Sequence, residues 1–199
     1  MRKAIFLDKD GTLIVDVPYN ADPAKIVLER GVGTALKRLS AAGYMLIVIS
    51  NQAGIAHGFF TEDAIQGVQD KLYELLLMEG VKLDGFYYCP HHPAGKIKAY
   101  SKICECRKPG PGMLFKAARQ LRIKLSQSWM VGDILHDIEA GNRAGCQTIL
   151  IDNGNETEWD MRLDRIPGFI ADDMEAAAAH ILSTGNNLAY EQQRISDHR

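Results

Sequence analysis

The chain has 199 residues, 46% of them hydrophobic and 24% charged, which suits one globular domain with a substantial core. Its formal net charge of −2 and the lack of a basic run give no electrostatic case for nucleic acid, and no apolar run reaches membrane-spanning length. The opening Met1-Arg2-Lys3-Ala4 runs straight into an apolar stretch without room for a signal peptide, so a cytoplasmic location is expected.

The first predicted element is a strand over residues 4–7, followed by Asp8-Lys9-Asp10-Gly11-Thr12. Apolar side chains on both faces suit a parallel sheet covered by helices on each side. Ligands of such sheets sit beyond the carboxyl ends of the strands, where Asp8 and Asp10 fall. Converging carboxylates repel unless a cation intervenes, and a hard divalent ion such as Mg²⁺ is the expected partner. An Asp so held can attack phosphorus while its neighbour moves the proton. Alone, a D-x-D-G is more often a solvated turn, and Lys9 is expected on the far side of the strand as a solvated charge.

A polar loop over residues 14–25 carries Pro18 and Pro23. The spacing of Val32, Ala35, Leu36 and Leu39 predicts a helix over 31–42 that stops at Gly43. A strand over 45–49 ends in Ser50-Asn51-Gln52. Thr61 is a candidate N-cap for a helix that aligns Ile65, Val68, Leu72, Leu75 and Leu76 and ends at Gly80. A third strand over 85–88 delivers the chain to Cys89, and residues 89–106 then lack periodicity. Pro111 opens a helix burying Leu114, Ala117, Ala118 and Leu121. A fourth strand over 129–131, with Trp129 packed, ends in Gly132-Asp133. A short helix over 137–144, a fifth strand over 148–151, a loop with some helix over 153–168, an edge strand over 169–171 and a helix over 174–182 follow. Cys146 is expected in the core, His136 and His180 on exposed helix faces, and the polar residues from Ser183 onward in a frayed tail.

Alternating strands and helices predict an α/β fold, a doubly wound, Rossmann-like parallel sheet with the first strand central and the order 5-4-1-2-3. One domain over 1–184 is expected, with no separate cap domain, a metal-binding loop at 89–106 and a tail over 185–199. Three strands then end in polar groups at one edge: Asp8 and Asp10, Ser50-Asn51, and Asp133. Arg107-Lys108-Pro109 can reach the same edge. Each suits phosphoryl transfer, where catalysis is mostly positioning and charge stabilisation. Ser50 and nearby amides would donate to phosphate oxygens, Lys108 would supply a point charge, and Asp133 would complete the oxygen shell of Mg²⁺.

In this order the residues resemble the haloacid-dehalogenase superfamily of phosphohydrolases, with motifs at Asp8-Lys9-Asp10-Gly11-Thr12, Ser50-Asn51, Lys108, and Gly132-Asp133 with Asp137. Within it the chain is most similar to the D-glycero-D-manno-heptose 1,7-bisphosphate 7-phosphatases. That likeness rests on Asn51-Gln52-Ala53-Gly54-Ile55-Ala56, Cys89-Pro90-His91-His92-Pro93, Cys104-Glu105-Cys106-Arg107-Lys108-Pro109 and Pro111-Gly112-Met113, and runs from about residue 4 to 152. The resemblance implies Asp8 as nucleophile, Asp10 as proton donor, and Asp8, the Asp10 backbone and Asp133 as Mg²⁺ ligands. It further implies substrate contacts at Asp16, Tyr19, Ser50, Asn51, Gln52, Ala53, Arg107 and Lys108. The implied role is removal of the 7-phosphate of a small phosphorylated sugar, by a monomer, in heptose precursor synthesis for lipopolysaccharide or related glycans. Two positions depart from the pattern: His57 replaces an Arg and Ile134 a Lys, each removing a fixed positive charge near the expected site.

Cys89-x-His91, twelve residues, then Cys104-x-Cys106 offers three thiolates and an imidazole, a full tetrahedral set for structural Zn²⁺. His92 competes with His91, and the resemblance favours His91. Histidinol-phosphate phosphatases resemble the chain in the acids and the Cys/His loop, while the Cys-Pro-His-His-Pro context favours the heptose enzymes. Among other classes, a response-regulator receiver would carry its acceptor Asp on the third strand, where Tyr88 and Cys89 stand, and a nucleic-acid-binding zinc module would need a basic patch.

Overall fold

In the computed structural model, which describes residues 1–184, a single parallel sheet organises the chain. Its strands are β1 (Lys3–Leu7), β2 (Tyr44–Asn51), β3 (Gly85–Cys89), β4 (Trp129–Gly132), β5 (Gln147–Ile151) and β6 (Phe169–Ala171). Their spatial order is β3-β2-β1-β4-β5-β6. This is the expected order read from the other edge, and it differs by the sixth strand, β6, added beside β5. From β1 the chain winds outward through β2 to β3, then returns to β4 on the other side of β1. The crevice between β1 and β4 is therefore the switch point of the sheet, where ligands of such folds bind.

Each face of the sheet is covered, and β1 shows why. Ile5 and Leu7 point into a cluster with Val32, Leu36 and Leu39 of α1 (Val32–Ala41) and Val68, Leu72 and Leu76 of α3 (Ala64–Met78). Ala4 and Phe6 point the other way, onto Met113, Leu114 and Ala117 of α4 (Gly112–Leu121) and Ala140 and Ala144 of α5 (Leu135–Ala144). Burying Phe6, Ile5 and Leu7 contributes about 1.5–3 kcal/mol each, so the strand that ends in the acids is also among the most firmly held. The helix after β6, α6, starts at 174 and is described through 184, packing Met174, Ala177, Ala178 and Ile181 on the first cluster. Residues 183 and 184 thus stay helical, and the rest of the expected tail, 185–199, lies outside the described residues. No helix among those described is long and apolar enough to cross a membrane.

Several boundaries differ from expectation for identifiable reasons. β2 and β3 each run on to the polar residues because Ser50 pairs with Tyr88 and Asn51 with Cys89. The short helix α2 (Ala53–His57) is too brief to show periodicity in sequence. Thr61 does not cap α3, which begins at Ala64 behind Asp63. The preceding residue, Glu62, instead accepts the hydroxyls of Tyr88 at 2.8 Å and Tyr100 at 2.7 Å, fixing the chain's entry there. His180 is not exposed: its ring stacks on Phe169, centroids 3.8 Å apart, and meets Trp129 edge-on at 5.7 Å. Trp129 and Cys146 are buried, as expected.

Candidate active site and metal sites

The Asp8-to-Thr12 stretch leaves the end of β1 as a tight loop in which the amides of Leu13 and Ile14 both donate to the Lys9 carbonyl at 3.0 Å. The Asp8 amide donates to the Val131 carbonyl at 2.9 Å, tying the loop to β4. Gly11 turns the chain at φ +75°, and a Cβ there would lie 2.1 Å from Asp133 Oδ2. Glycine is needed for both its left-handed conformation and its missing side chain. Thr12 Oγ1 then donates to Asp133 Oδ1 at 3.0 Å. Gly132 is held to glycine in the same way, because a Cβ would lie 2.2 Å from Asp137 Oδ2.

Lys108 joins the acids. Its Nζ lies 2.6 Å from Asp8 Oδ1 and 2.6 Å from Asp137 Oδ1, and the side chain is 1% exposed. Asp137 Oδ1 has no other polar partner, and the ammonium approaches it off the ideal hydrogen-bond direction. Burial disfavours the Lys108 charge, but Asp137 and Asp8 more than offset that, and its pKa is raised. Asn51 places this lysine. Its Nδ2 donates to the Lys108 carbonyl at 3.1 Å and its Oδ1 accepts the Lys108 amide at 3.0 Å. Asn51, expected to contact substrate, thus holds Lys108 and also borders the acid-lined cavity.

Lys9 is not a solvated charge. It is 1% exposed and paired with Asp10. β1 ends at Leu7, so strand alternation no longer sets the direction of Lys9. Burial pushes the Asp10 carboxyl up, against the pull of Lys9, which suits a group that must hold a proton. His136, expected on an exposed face, is half-buried and lines the same cavity as the acids. That cavity, about 260 Å³, is lined by Asp8, Asp10, Asp16, Asn51, Arg107, Lys108, Asp133, Ile134, His136 and Asn155. A larger cleft of about 540 Å³, against Tyr87, Tyr88, Tyr100 and Lys116, shares no residue with the acids. Ser50 is fully buried and accepts Gln52 Nε2 at 2.7 Å. Ala53 opens α2. Tyr19 lies outside the cavity lining, on the rim, at φ +54°, with its ring 4.7 Å from Phe59 and 6.0 Å from His57.

Among the described residues, two clusters could hold metal ions. Asp8, Asp133 and Asp137 offer oxygens within 4.8 Å of one another. Asp137 is fully buried and outside the cavity lining, whereas Asp8 and Asp133 border the cavity. The four carboxylates Asp8, Asp10, Asp133 and Asp137 face two ammonium groups, Lys9 and Lys108. The acids outnumber the ammonium groups, and a divalent cation would offset that excess. Burial and Asp8 push the Asp133 carboxyl up to about 6. In metal-free protein its stabilising contribution is full below the ordinary 3.8 and lost as pH rises through about 6. A cation needs the ionised form, so protons compete with it. Mg²⁺ affinity is expected to plateau above about pH 7 and to fall about tenfold per unit below pH 6, read by calorimetric titration. An affinity equal at pH 5 and pH 7.5 would count against Asp133 as a ligand.

Cys89, His91, Cys104 and Cys106 form the second cluster, also within 4.8 Å. The sulfurs stand 2.9 to 3.5 Å apart and His91 Nδ1 lies 3.3 Å from Cys106 and 3.6 Å from Cys89. Disulfide sulfurs would be about 2.05 Å apart, whereas a tetrahedron around zinc has edges of about 3.8 Å. Four soft donors converging on one centre fit zinc. His92 turns away, accepting the Ala94 amide at 3.2 Å, with its ring 4.6 Å from His57.

Comparisons with known proteins give the chain its relatives. A HAD-hydrolase-like family model matches residues 105–177. A D-glycero-beta-D-manno-heptose-1,7-bisphosphate 7-phosphatase of Pasteurella multocida is 44% identical over 77% of this chain and 84% of its own. Among solved structures, a HAD-like protein of Mesorhizobium loti superposes with a TM-score of 0.80 at 37% identity, over 92% of this chain and 85% of that one. D,D-heptose 1,7-bisphosphate phosphatase from B. bronchiseptica, complexed with magnesium and phosphate, gives 0.74 at 28% identity over 92% and 99%.

Proposed function

Because this chain belongs to the heptose 1,7-bisphosphate 7-phosphatase family of HAD-like hydrolases, we propose that it hydrolyses the 7-phosphate of D-glycero-D-manno-heptose 1,7-bisphosphate with Mg²⁺. The observation that carries the reading is the meeting of Asp8, Asp10, Asp133 and Lys108 in one cavity at the switch point. Asp8 attacks phosphorus and becomes an aspartyl phosphate as the bond to the sugar oxygen breaks. Asp10 gives its proton to that oxygen, then accepts one from the water that attacks the aspartyl phosphate. Asp8, the Asp10 carbonyl and Asp133 would hold Mg²⁺, which when bound would offset charge on the phosphoryl oxygens. Lys108 supplies a second positive charge there, kept in place by Asn51 and Asp137. The Ser50 hydroxyl, which accepts Gln52 Nε2 and keeps its own hydrogen to donate, and the Gln52–Ala53 backbone at the head of α2 are taken as further donors to the phosphoryl oxygens.

Cys89, His91, Cys104 and Cys106 would hold Zn²⁺, which when bound would fix the 89–106 loop and so Arg107 and Lys108, which directly follow Cys106. The reading takes residues 1–184 as one phosphatase unit acting as a cytoplasmic monomer. Asp16, Tyr19 and Arg107 take the sugar and the distal phosphate, Arg107 by a planar fork suited to bidentate contacts. Arg107 borders the cavity, its Nη1 3.5 Å from the His91 carbonyl, which leaves most of the fork's donors free for substrate.

The test is a pair of kinetic ratios. Arg107→Ala is expected to lower kcat/KM on the heptose bisphosphate about a hundredfold, against less than about fivefold on a sugar monophosphate or histidinol phosphate. Equal losses on both would leave the bisphosphate assignment without its residue-level support.

A further inference from the structure

The segment after β5 crosses the carboxyl edge of the sheet and touches the loops that build the acid cluster. Asn153 Nδ2 donates to the Gly11 carbonyl at 2.7 Å. Asn155 Nδ2 donates to Asp133 Oδ2 at 2.7 Å, and the Asn155 amide donates to Asn153 Oδ1 at 3.2 Å. Glu156 Oε2 accepts the Leu135 amide at the head of α5 at 2.6 Å. Both ends of the segment are fixed. Asp152 donates its amide to Ala171 of β6 at 2.9 Å. Arg165, farther along, bonds the buried Glu139 of α5 at 2.7 Å. A loop that only joined β5 to β6 would leave these amides to water.

We propose that residues 152–158 form a strap over the acid cluster and that Asn155 is a positioning residue for Asp133. The inference rests on the reading of Asp133 as a Mg²⁺ ligand. Thr12 donates to one oxygen of that carboxylate and Asn155 to the other. Two donors on opposite oxygens fix the carboxylate plane, and each oxygen keeps lone-pair capacity for a cation. With Thr12 alone, the group can swing about its last bond. The room for the amide is built in on the facing loop, since a Cβ on Gly11 would lie 2.4 Å from Asn155 Nδ2. Asparagine, unlike aspartate, supplies the donor without adding a fifth negative charge to the cluster.

Partners behind a metal ligand are typically worth ten- to hundredfold in metal affinity. Asn155 is itself solvent-exposed, which places the expected effect at the low end. The experiment is a calorimetric Mg²⁺ titration of the full chain at pH 7.5, wild type against Asn155→Ala, with melting measured in Mg²⁺-free buffer. The Mg²⁺ dissociation constant is expected to rise about tenfold, while the Mg²⁺-free melting temperature stays near wild type. Asn153→Ala, which frees the strap from Gly11, is expected to shift the constant the same way by a smaller factor. An Asn155→Ala protein that binds Mg²⁺ as tightly as wild type overturns the inference. So does one whose weaker binding comes with a matching fall in Mg²⁺-free melting temperature, because the residue would then be structural. A wild type that takes up no Mg²⁺ overturns the reading of Asp133 itself, a result visible before any variant is compared.

Discussion

Asp8→Asn is expected to reduce phosphate release from the heptose bisphosphate by 10⁴-fold or more, on the order seen when a covalent nucleophile is removed. The amide cannot attack phosphorus, and it is a poorer ligand for the cation. Folding should not suffer. The cluster carries more carboxylates than ammonium groups, and Lys108 keeps Asp137 at 2.6 Å when Asp8 is neutralised. The Mg²⁺-free melting temperature is therefore expected to hold or to rise, because a repulsive charge is gone while the buried lysine remains paired. Phosphate release and thermal melting on the same preparation check both halves. Turnover within tenfold of wild type would mean that water attacks directly and that Asp8 only orients the metal.

Cys104→Ser is expected to strip zinc, unfold the 90–106 loop and abolish activity together. The loop cannot hold itself by apolar burial, since its large apolar residues Ile97 and Ile103 are 42% and 89% exposed. Its backbone ties are few, chiefly the amides of Lys96 and Ile97 on the Ala56 carbonyl at 2.7 and 2.9 Å and His92 on Tyr100 at 3.1 Å. A structural zinc contributes about 10–16 kcal/mol to the folding of isolated finger peptides, comparable to the whole net stability of a domain. Lys108 stands two residues after the ligand Cys106, so a released loop withdraws the charge nearest Asp8. Elemental analysis should find one zinc per wild-type chain, and hydrogen exchange should find the variant loop unprotected. A chelator-free preparation without zinc, whose loop is nonetheless protected, would refute the assignment.

Much of this site was legible because its residues sit at strand ends, where an apolar run stops and a polar group follows. Asp8, Ser50 and Asp133 are read that way, and the structure brings their strands together. What failed were inferences carried past the end of an element. Lys9 was assigned by strand alternation two residues after β1 had stopped, and its charge is buried against Asp10. The bonds from Asn51 to Lys108, 57 positions away, are a pairing no local spacing encodes, and they come in addition to the substrate contact expected of a residue that borders the cavity. Asp137 was visible only as part of a motif, and its ion pair with Lys108 needs the folded sheet. Asn153, Asn155 and Glu156 carry no periodicity at all, being loop residues whose meaning comes from the edge they cross. The best hint available was position, directly after a strand on the functional side of a parallel sheet.

The span between the nucleophile and its lysine also bears on the order in which the protein comes into being. Asp8 and Lys108 are a hundred residues apart, and Thr12 meets Asp133 across 121. A ribosome emits β1 early, but its neighbour β4 emerges only after the cysteine loop and α4. At about 5–20 residues per second, Asp8 waits about 5–20 seconds in the nascent chain before Lys108 can reach it. A nascent chain that has not reached Asp133 therefore lacks the acid cluster, and the cysteine cluster has left the tunnel before that last acid arrives. Assembly is thus ordered by the map of the sheet: the cysteine loop comes first, the acid cage second.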